Sequence, residues 1–591
     1  MEQYKWRLED LYETEELWLD DFNYVQEMID QIKGYNGQLG KTATILIEAL
    51  QLRDKINEHK DKLRMYCLKR KQKNFKNTHF QVRFEEVESL RIKVEKILCF
   101  FEPELLNIPS ETLLEFKKET DKLSIYDFYF NNLKRKSTTV LTDLEEAILS
   151  QAGMLLSIPG SIYGKIKESD FKPSIIEDAD GNQIILTNIR YSNILENKDR
   201  KLRIDSYKAH NKYFLERKHT LADIYISVVK KDVFISKSRK YKSCLEYALY
   251  KDNVRLNVYE SLIKAVHDNI ETVHKLVSIH KKSMQLQKLY MYDFNVSIVE
   301  KIEINISYDK GCEILKKSLA KLGSEYILEL DNAIKSRWID VYPDDKKQNQ
   351  ELTGPVYGVH PYVLLNYRND INSLLTFAHE MGHAMHAYYA FKEQLFINAY
   401  YSPIIAEISS LVNEILVLEY MISNASNRKE KIHLIYDYAS RFYKVIIVQT
   451  KFAEFEKIVH EKVEMNEGVD TDTLCNIFHK LNSDYLGIEM TLDNESDMGW
   501  SKIQHVFSKP FYVYTYATGF SAAVAITNKI LQGDKEFINA YLDILKKGGS
   551  DYPIEIIKTL GIDLNTPKPV ELALSKFKEL VNQLEQLLNV E

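Results

Sequence analysis

The residues best suited to chemistry in this sequence form an HExxH motif at positions 379–383. His379 and His383 are four residues apart, and Glu380 directly follows the first histidine. On an α-helix, residues i and i+4 lie on one face, so both imidazoles can bind one metal ion. Zinc is the usual occupant of such a pair, and Glu380 can then take a proton from the zinc-bound water. The motif predicts a zinc metallopeptidase with one Zn²⁺ per chain and Glu380 as general base.

A catalytic zinc usually takes three protein ligands, and the candidates for the third lie downstream. They are His386, Glu393, Glu407 and Glu414. His386 is two helical turns from His379, roughly 10 Å along the axis, so one ion cannot easily contact both. Glu407 and Glu414 share a face of a second helical stretch, where one carboxylate can bind metal while the other orients a histidine. We favour Glu407 as the ligand, with Glu414 and His386 supporting the ligands from behind.

The elements that must position these residues can also be read from the sequence. Residues 374–385 have apolar spacing that is compatible with a helix, and Gly382 within it allows another element to pack closely,. Apolar β-formers at 338–342 and 362–367 are interrupted by glycine and proline, which predicts a small sheet next to the motif,.

Composition predicts a large, mainly α fold. The chain has 591 residues, 45% of them hydrophobic, with only 20 glycines and 12 prolines to form turns. This leaves few turn residues for an all-β architecture. Apolar residues recur at helical spacing up to about residue 130 and again from 199 to about 290,. The turn-rich stretch 158–182, followed by a short strand, resembles a hairpin and suggests a boundary that divides the chain into an N-terminal helical lobe (1–190) and a catalytic domain (191–591).

Charge and cysteine content exclude several function classes. A net charge of −7 and a pI near 6.2 provide no broad attraction to nucleic acid or anionic lipid,. The one dense basic run, residues 69–73, is explained by a solvated helix surface as well as by a local anion site. The five cysteines are widely spaced without a CxxC pair, and the N-terminus lacks the apolar core of a signal peptide,. We therefore expect a soluble cytoplasmic protein without nucleic-acid or membrane partners.

Three segments together carry a family resemblance: the motif region 376–386, the stretch 406–410, and the tyrosine-rich stretch 510–519. In combination they resemble oligoendopeptidase F, of the thimet oligopeptidase-like zinc metallopeptidases, over nearly the whole chain. The resemblance implies a helical N-terminal lobe and an HExxH catalytic lobe around a deep channel that admits short peptides. It also implies Glu407 as the third ligand. One departure is visible, since residues 350–357 lack the Gly-Ala-Tyr pattern frequent in similar proteins.

Further candidate residues follow from position in similar peptidases. A tetrahedral oxyanion needs a hydrogen-bond donor besides the metal, and the resemblance implies His505 and Tyr512 in this role. On a helix, Tyr512 and Tyr516 would share a face and Tyr514 would point elsewhere. We take Tyr514, Tyr516 and His360 as candidate substrate contacts, although a structural role is the ordinary one for a single tyrosine or histidine.

Three functions fit these residues. The first is an endopeptidase that cuts internal bonds of short oligopeptides. The second is a zinc carboxypeptidase or dipeptidase on a similar scaffold, which an end-blocked peptide would distinguish. The third is a helical peptide-binding protein without catalysis, and the intact Glu380 argues against it.

Overall fold

Helices dominate the structure, which confirms the predicted mainly α class. The computed structural model describes residues 2–137, 139, 141–300, 302 and 304–589. This part of the chain contains 28 α-helices and seven short strands. None of the helices within it combines the length and the apolar character that a bilayer-spanning segment needs,.

The elements alternate between long and very short helices. In the first half of the chain the helices are α1 (Glu15–Ile32), α2 (Ala43–Lys73), α3 (Thr78–Leu98), α4 (Phe101–Asn107), α5 (Ser110–Glu119), α6 (Asp127–Ser137), α7 (Asp143–Leu156), α8 (Ile158–Gly164), α9 (Asn188–Leu195), α10 (Arg200–Leu215), α11 (Lys218–Ser238), α12 (Cys244–Tyr250), α13 (Leu256–Asp268) and α14 (Glu271–Ser283). In the second half they are α15 (Tyr308–Ser318), α16 (Ser324–Lys335), α17 (Ile371–Glu393), α18 (Phe396–Ala399), α19 (Pro403–Ser423), α20 (Arg428–Phe442), α21 (Val448–Glu464), α22 (Thr471–Leu486), α23 (Asn494–Asp497), α24 (Gln504–Ser508), α25 (Tyr514–Gln532), α26 (Lys535–Lys546), α27 (Pro553–Lys558) and α28 (Lys568–Asn589). The strands are β1 (Ser174–Glu177), β2 (Gln183–Leu186), β3 (Leu289–Tyr290), β4 (Ile339–Asp340), β5 (Leu352–Gly354), β6 (Tyr362–Leu364) and β7 (Met490–Thr491).

The chain folds into two compact units, each assembled from three separate stretches. The first unit comprises Met1–Thr139, Glu303–Tyr420 and Ile526–Gly561. The second comprises Val140–Ile302, Met421–Ala525 and Ile562–Glu591. The division at residue 190 into an N-terminal lobe and a catalytic domain stays a prediction.

The first unit has a core of helices around its N-terminal segment. Helix α2 packs against α1 on one side and α3 on the other, as the apolar periodicity predicts. Trp6 and Trp18 are almost fully buried among their aliphatic side chains, and Trp6 meets Tyr362 of β6 edge to face at 5.9 Å,. Apolar burial therefore joins the N-terminal helices to the sheet that lies beside the motif.

That sheet has three strands in the order β4-β6-β5, which confirms the predicted small sheet. Strand β6 pairs in parallel with β4, and Leu364 lies opposite Asp340. It pairs antiparallel with β5, where Thr353 lies opposite Val363. All three residues of β6 are buried because helix α17 covers the sheet. Strand β5 thus lies at the sheet edge and contacts the motif helix.

The second unit packs α11 against α21 and α22, and α20 against α28. It also contains the predicted hairpin, in which Ile176 of β1 lies opposite Ile184 of β2. The Asp178 carboxylate accepts the backbone N–H groups of Asp180 and Asn182, and Gly181 has a φ of 83°. These contacts close the turn that the sequence of polar residues predicts.

Candidate metal centre

Helix α17 begins well before the motif and carries it as regular helix. The Asp370 side chain caps the N-terminus by accepting the N–H of Ser373 at 2.7 Å,. Phe377, Ala378 and Met381 are fully buried. The apolar face fixes the rotation of the helix, so His379 and His383 emerge together on a partly exposed face,.

Gly382 brings α17 and α19 into contact. A Cβ atom at this position would lie 2.8 Å from the carbonyl oxygen of Ser409 and would overlap with the backbone of Ser410. Glycine is therefore required for this approach, which confirms the close packing predicted at Gly382. The same approach sets Glu407 beside the motif histidines.

His379, His383 and Glu407 form one cluster. One ligand atom of each lies within 4.8 Å of the others. Glu407 Oε2 is 3.6 Å from His379 Nε2, and Glu407 Oε1 is 3.9 Å from His383 Nε2. Two imidazoles and one carboxylate are the ligand set of many catalytic zinc sites. The residues present therefore fit a zinc ion by number, type and spacing.

Glu414 supports the cluster from behind His379. Its Oε2 lies 3.3 Å from His379 Nδ1, and its side chain is 8% exposed. Occupation of Nδ1 by a carboxylate leaves Nε2 directed at the cluster, which is the usual way that a ligand histidine is oriented. Burial lowers the pKa of His379, but the hydrogen bond and charge of Glu414 outweigh it and raise the pKa overall.

His383 has a different electrostatic environment from His379. Burial, and then the neighbouring imidazoles of His379 and His386, lower the pKa of His383 to about 3. It is therefore neutral at ordinary pH, the form in which histidine binds metal. Burial raises the pKa of Glu407, while His379 opposes this shift.

Glu380 is buried and held by a residue that the motif does not reveal. Its carboxylate accepts a hydrogen bond from Thr353 Oγ1 at 2.7 Å through Oε2, and the same hydroxyl lies 2.9 Å from the Glu380 carbonyl oxygen. Burial raises the pKa of Glu380, partly opposed by His379 and by the Thr353 hydrogen bond. Thr353 lies in the segment that departs from the pattern of similar proteins, and this departure was the only signal for it in the sequence.

Lys69 lies behind the same strand. It is fully buried and Gln72 is also buried, so the interpretation of the basic run 69–73 as a solvated surface is wrong at these two positions. Gly354 leaves the space that the Lys69 side chain occupies, and the ammonium lies 5.2 Å from the Trp6 ring,. Burial lowers the pKa of Lys69 to about 7, while the negative charge of Glu380 acts in the opposite direction.

The other two histidines near the motif make packing contacts. His386 is fully buried, stacks on Tyr401 with ring centroids 3.8 Å apart, and places Nδ1 3.1 Å from Ser409 Oγ. Burial lowers the pKa of His386 to about 3. It lies outside the ligand cluster and joins α17 to α19, which favours a packing role, and its support of the metal ligands stays a prediction.

His360 joins the sheet to the N-terminal segment. It stacks on Trp338 with ring centroids 5.0 Å apart, and its Nε2 lies 3.1 Å from Asp10 Oδ2. These contacts favour a structural role, and its contact with substrate stays a prediction.

In the second unit, His505 and two tyrosines form a cluster. His505 Nε2 is 3.2 Å from the Tyr516 hydroxyl. The ring of Tyr512 lies nearly parallel to that of His505 at 5.8 Å and perpendicular to that of Tyr516 at 5.4 Å. Burial, and then the charges of Lys509 and Lys167, lower the pKa of His505. The three rings are half-buried, and we call them the His505 cluster.

The backbone of this cluster differs from the helix expected over 512–516. Helix α25 begins only at Tyr514, and Phe511 has a φ of 54° in the turn before it. The rings of Tyr512 and Tyr516 are still in contact, because the turn before α25 places Tyr512 beside the start of the helix. Tyr514 points inward and packs against Tyr259 at 5.3 Å, which favours a packing role, and its substrate contact stays a prediction.

Two family models match the chain. Residues 193–576 match peptidase family M3, and residues 104–172 match the model described as oligopeptidase F. The first match contains the HExxH motif, Glu407 and the His505 cluster.

Individual relatives extend the similarity over the full length. The chain is 33% identical to oligopeptidase PepF of Bacillus subtilis over 99% of this chain and 87% of that protein. Its fold superposes on the crystal structure of oligoendopeptidase-F from Enterococcus faecium with a TM-score of 0.75 at 26% identity, covering 98% of this chain and 99% of the other. A crystal structure of a Chlamydophila abortus protein gives a TM-score of 0.91 at 28% identity, covering 99% and 98%.

Proposed function

We propose that this chain, which belongs to peptidase family M3, is a zinc-dependent endopeptidase. It would hydrolyse internal peptide bonds of short oligopeptides. The observation that carries the proposal is the cluster of His379, His383 and Glu407, with the Glu380 carboxylate on the same helix. Relatives named oligopeptidase and oligoendopeptidase support the choice of substrate.

The three cluster residues would hold the zinc ion, and Glu414 would keep His379 in the ligand orientation. When bound, zinc supplies a Lewis acid that polarises the scissile carbonyl and lowers the pKa of water. His383 would contribute a neutral imidazole and Glu407 a carboxylate, so the bound ion would keep a net positive charge,.

Glu380 would act as the general base. Its Oε atoms accept a proton from the attacking water and return one to the leaving amine, which keeps the carboxylate unchanged over the cycle. Thr353 occupies Oε2 at 2.7 Å and so restricts the rotation of the carboxylate, leaving Oε1 for proton transfer. A carboxylate held in this way loses little orientational freedom in the transition state.

His505 and Tyr512 remain proposed donors to the oxyanion of the substrate. Their family resemblance supports this role, and both carry an N–H or O–H group on a half-buried side chain,. Tyr516 would orient His505 through the contact between its hydroxyl and Nε2.

The proposal is tested by incubating the protein with a mixture of oligopeptides blocked at both ends and identifying the products by mass spectrometry. We expect internal cleavage that a chelator abolishes and added zinc restores. Release of single residues from unblocked peptides only would favour the carboxypeptidase alternative. Cleavage that is indifferent to the chelator would contradict the zinc mechanism.

A further inference from the structure

Three buried ionisable residues lie beneath the turn that carries Tyr512, and the proposed mechanism makes no use of them. Asp232 on α11 and Glu456 and His460 on α21 are 6%, 0% and 1% exposed. Removing a carboxylate from water costs several kcal/mol unless its contacts compensate. Their contacts should therefore indicate what the group does.

Glu456 reaches the turn directly. Its Oε1 accepts the backbone N–H of Phe511 at 2.8 Å, across 55 residues of sequence. Its Oε2 is buried and has no hydrogen-bond partner within the described residues. Within the described residues, the side chain of Glu456 thus forms its hydrogen bond with one backbone group, in the turn between α24 and α25.

Phe511 needs such a contact because of its backbone conformation. Its φ of 54° lies in the left-handed region, which is unfavourable for a bulky residue unless the surrounding structure holds it,. Its ring points inward, 4.5 Å from that of His460 and 6.0 Å from that of Tyr259. The hydrogen bond and the buried ring together stabilise the left-handed backbone of Phe511, which places Tyr512 beside His505.

His460 balances the charge of the group. Its Nδ1 lies 2.8 Å from the Glu456 carbonyl oxygen, and its Nε2 lies 3.5 Å from Asp232 Oδ2. Burial lowers the pKa of His460, but the two carboxylates outweigh this and raise it. Burial raises the pKa of Glu456 to about 7, and His460 opposes this shift.

We propose that Glu456 is a positioning residue for peptide-bond hydrolysis, which holds the N–H of Phe511 and thereby fixes Tyr512 beside His505. This inference rests on the proposed function, because Tyr512 matters only if it acts on substrate. His460 favours the charged form of Glu456, whereas the charge of Asp232 opposes it, so Asp232 acts only through its contact with His460.

The first test compares two substitutions of similar side-chain length. E456M removes the acceptor for the Phe511 N–H, whereas E456Q keeps a carbonyl oxygen in the same place. E456M should lower kcat on the order of 100-fold, as expected for loss of one oxyanion donor, with KM and zinc content unchanged. E456Q should remain within a few-fold of wild type. E464M is the matched control, because Glu464 accepts the N–H of Cys244 elsewhere in this unit and its loss should leave kcat unchanged.

A double-mutant cycle separates positioning from a general structural effect. If Glu456 acts through Tyr512, adding Y512F to E456M should reduce kcat only slightly further, since the donor is already misplaced. Losses that multiply, or an E456M enzyme with wild-type kcat, would overturn the proposal. A wild-type protein that cleaves no peptide with zinc present would instead contradict the proposed function.

Hydrogen exchange provides a readout that does not depend on activity, and its wild-type measurement does not depend on how a variant folds. In wild-type protein, the amide of Phe511 should exchange slowly although residues 511–513 form a turn, and it must be resolved from that of Lys509, which bonds to the His505 carbonyl oxygen at 2.7 Å,. The protection should persist in E456Q and be lost in E456M. Fast exchange of the whole segment in the wild-type protein would overturn the assignment.

Discussion

The proposed metal centre of the first unit and the His505 cluster of the second unit place their side chains by different physical means. The metal centre is built on two regular helices, and His379 is oriented by the charged Glu414. The His505 cluster is built around a turn, where a left-handed Phe511 and a buried carboxylate fix the position of Tyr512. The metal centre depends on helical periodicity, whereas the His505 cluster depends on a contact between segments that are distant in the sequence.

This difference predicts how each region responds to substitution. A helix keeps its geometry when one side chain is truncated, so changes in the metal centre should separate metal binding cleanly from proton transfer. A strained turn depends on a few contacts, so changes around the His505 cluster should affect position and catalysis together.

The largest effect is expected for Glu380→Gln. The amide has nearly the same shape but cannot accept the proton, so turnover should fall on the order of 100- to 10,000-fold while bound zinc is retained. Peptide cleavage rates measured beside metal content check this. Wild-type turnover would remove Glu380 from the mechanism. Loss of zinc would show that metal binding and proton transfer on this helix are not separable.

Tyr512→Phe should have the next largest effect. Removing one oxyanion donor typically costs on the order of 100-fold, and it should appear in kcat because the donor acts mainly in the transition state. Tyr514→Phe is the comparison, because the buried Tyr514 should change neither kcat nor KM by more than a few-fold. A rise in KM for Tyr514→Phe would restore it as a substrate contact.

Gly382→Ala tests the helix contact beneath the metal centre. The added methyl group would meet the backbone of Ser410, and overpacking of this kind costs roughly 1 to 3 kcal/mol,. We expect a lower Tm and weaker zinc binding, measured by thermal unfolding with and without zinc. Gly153→Ala, on a helix with open space around the position, should not lower the Tm.

Thr353→Val should have the smallest of these effects. The valine keeps the shape of the side chain but loses the hydrogen bond to Glu380. If that hydrogen bond stabilises the transition state by about 1.4 kcal/mol, its loss should lower kcat/KM about 10-fold. Thr353→Ser should restore most of the rate, since its hydroxyl can reach the same oxygen. Equal rates in the valine and serine variants would mean that the hydrogen bond does not contribute.

Much of the metal centre could be predicted from the sequence, because the number of residues between two positions on a helix determines whether their side chains lie close together. The i and i+4 rule places His379 beside His383, and Gly382 predicts the close neighbour. Helical spacing argued against His386, and the second helical stretch together with the family resemblance favoured Glu407, which the structure brings into the cluster.

The turn before α25 could not be predicted in this way. The shared face of Tyr512 and Tyr516 would hold only if both lay on one helix, whereas Glu456 binds Phe511 from 55 residues away and the helix begins at Tyr514. Thr353 was missed for the same reason, because its contact with Glu380 joins a strand to a helix. Lys69 was expected at the surface, since a basic run gives no sign that its first residue fills the space left by Gly354.

The most direct test of the account is the zinc content of protein purified without added metal, measured with peptide cleavage. We expect about one zinc per chain in the wild-type protein and in Glu393→Ala, with cleavage lost on chelation and restored by zinc. Glu407→Ala should lose most of the zinc and the activity with it. A wild-type chain that holds no zinc and gains no activity from it, or a Glu407→Ala variant that binds zinc as tightly as wild type, would contradict the proposed centre.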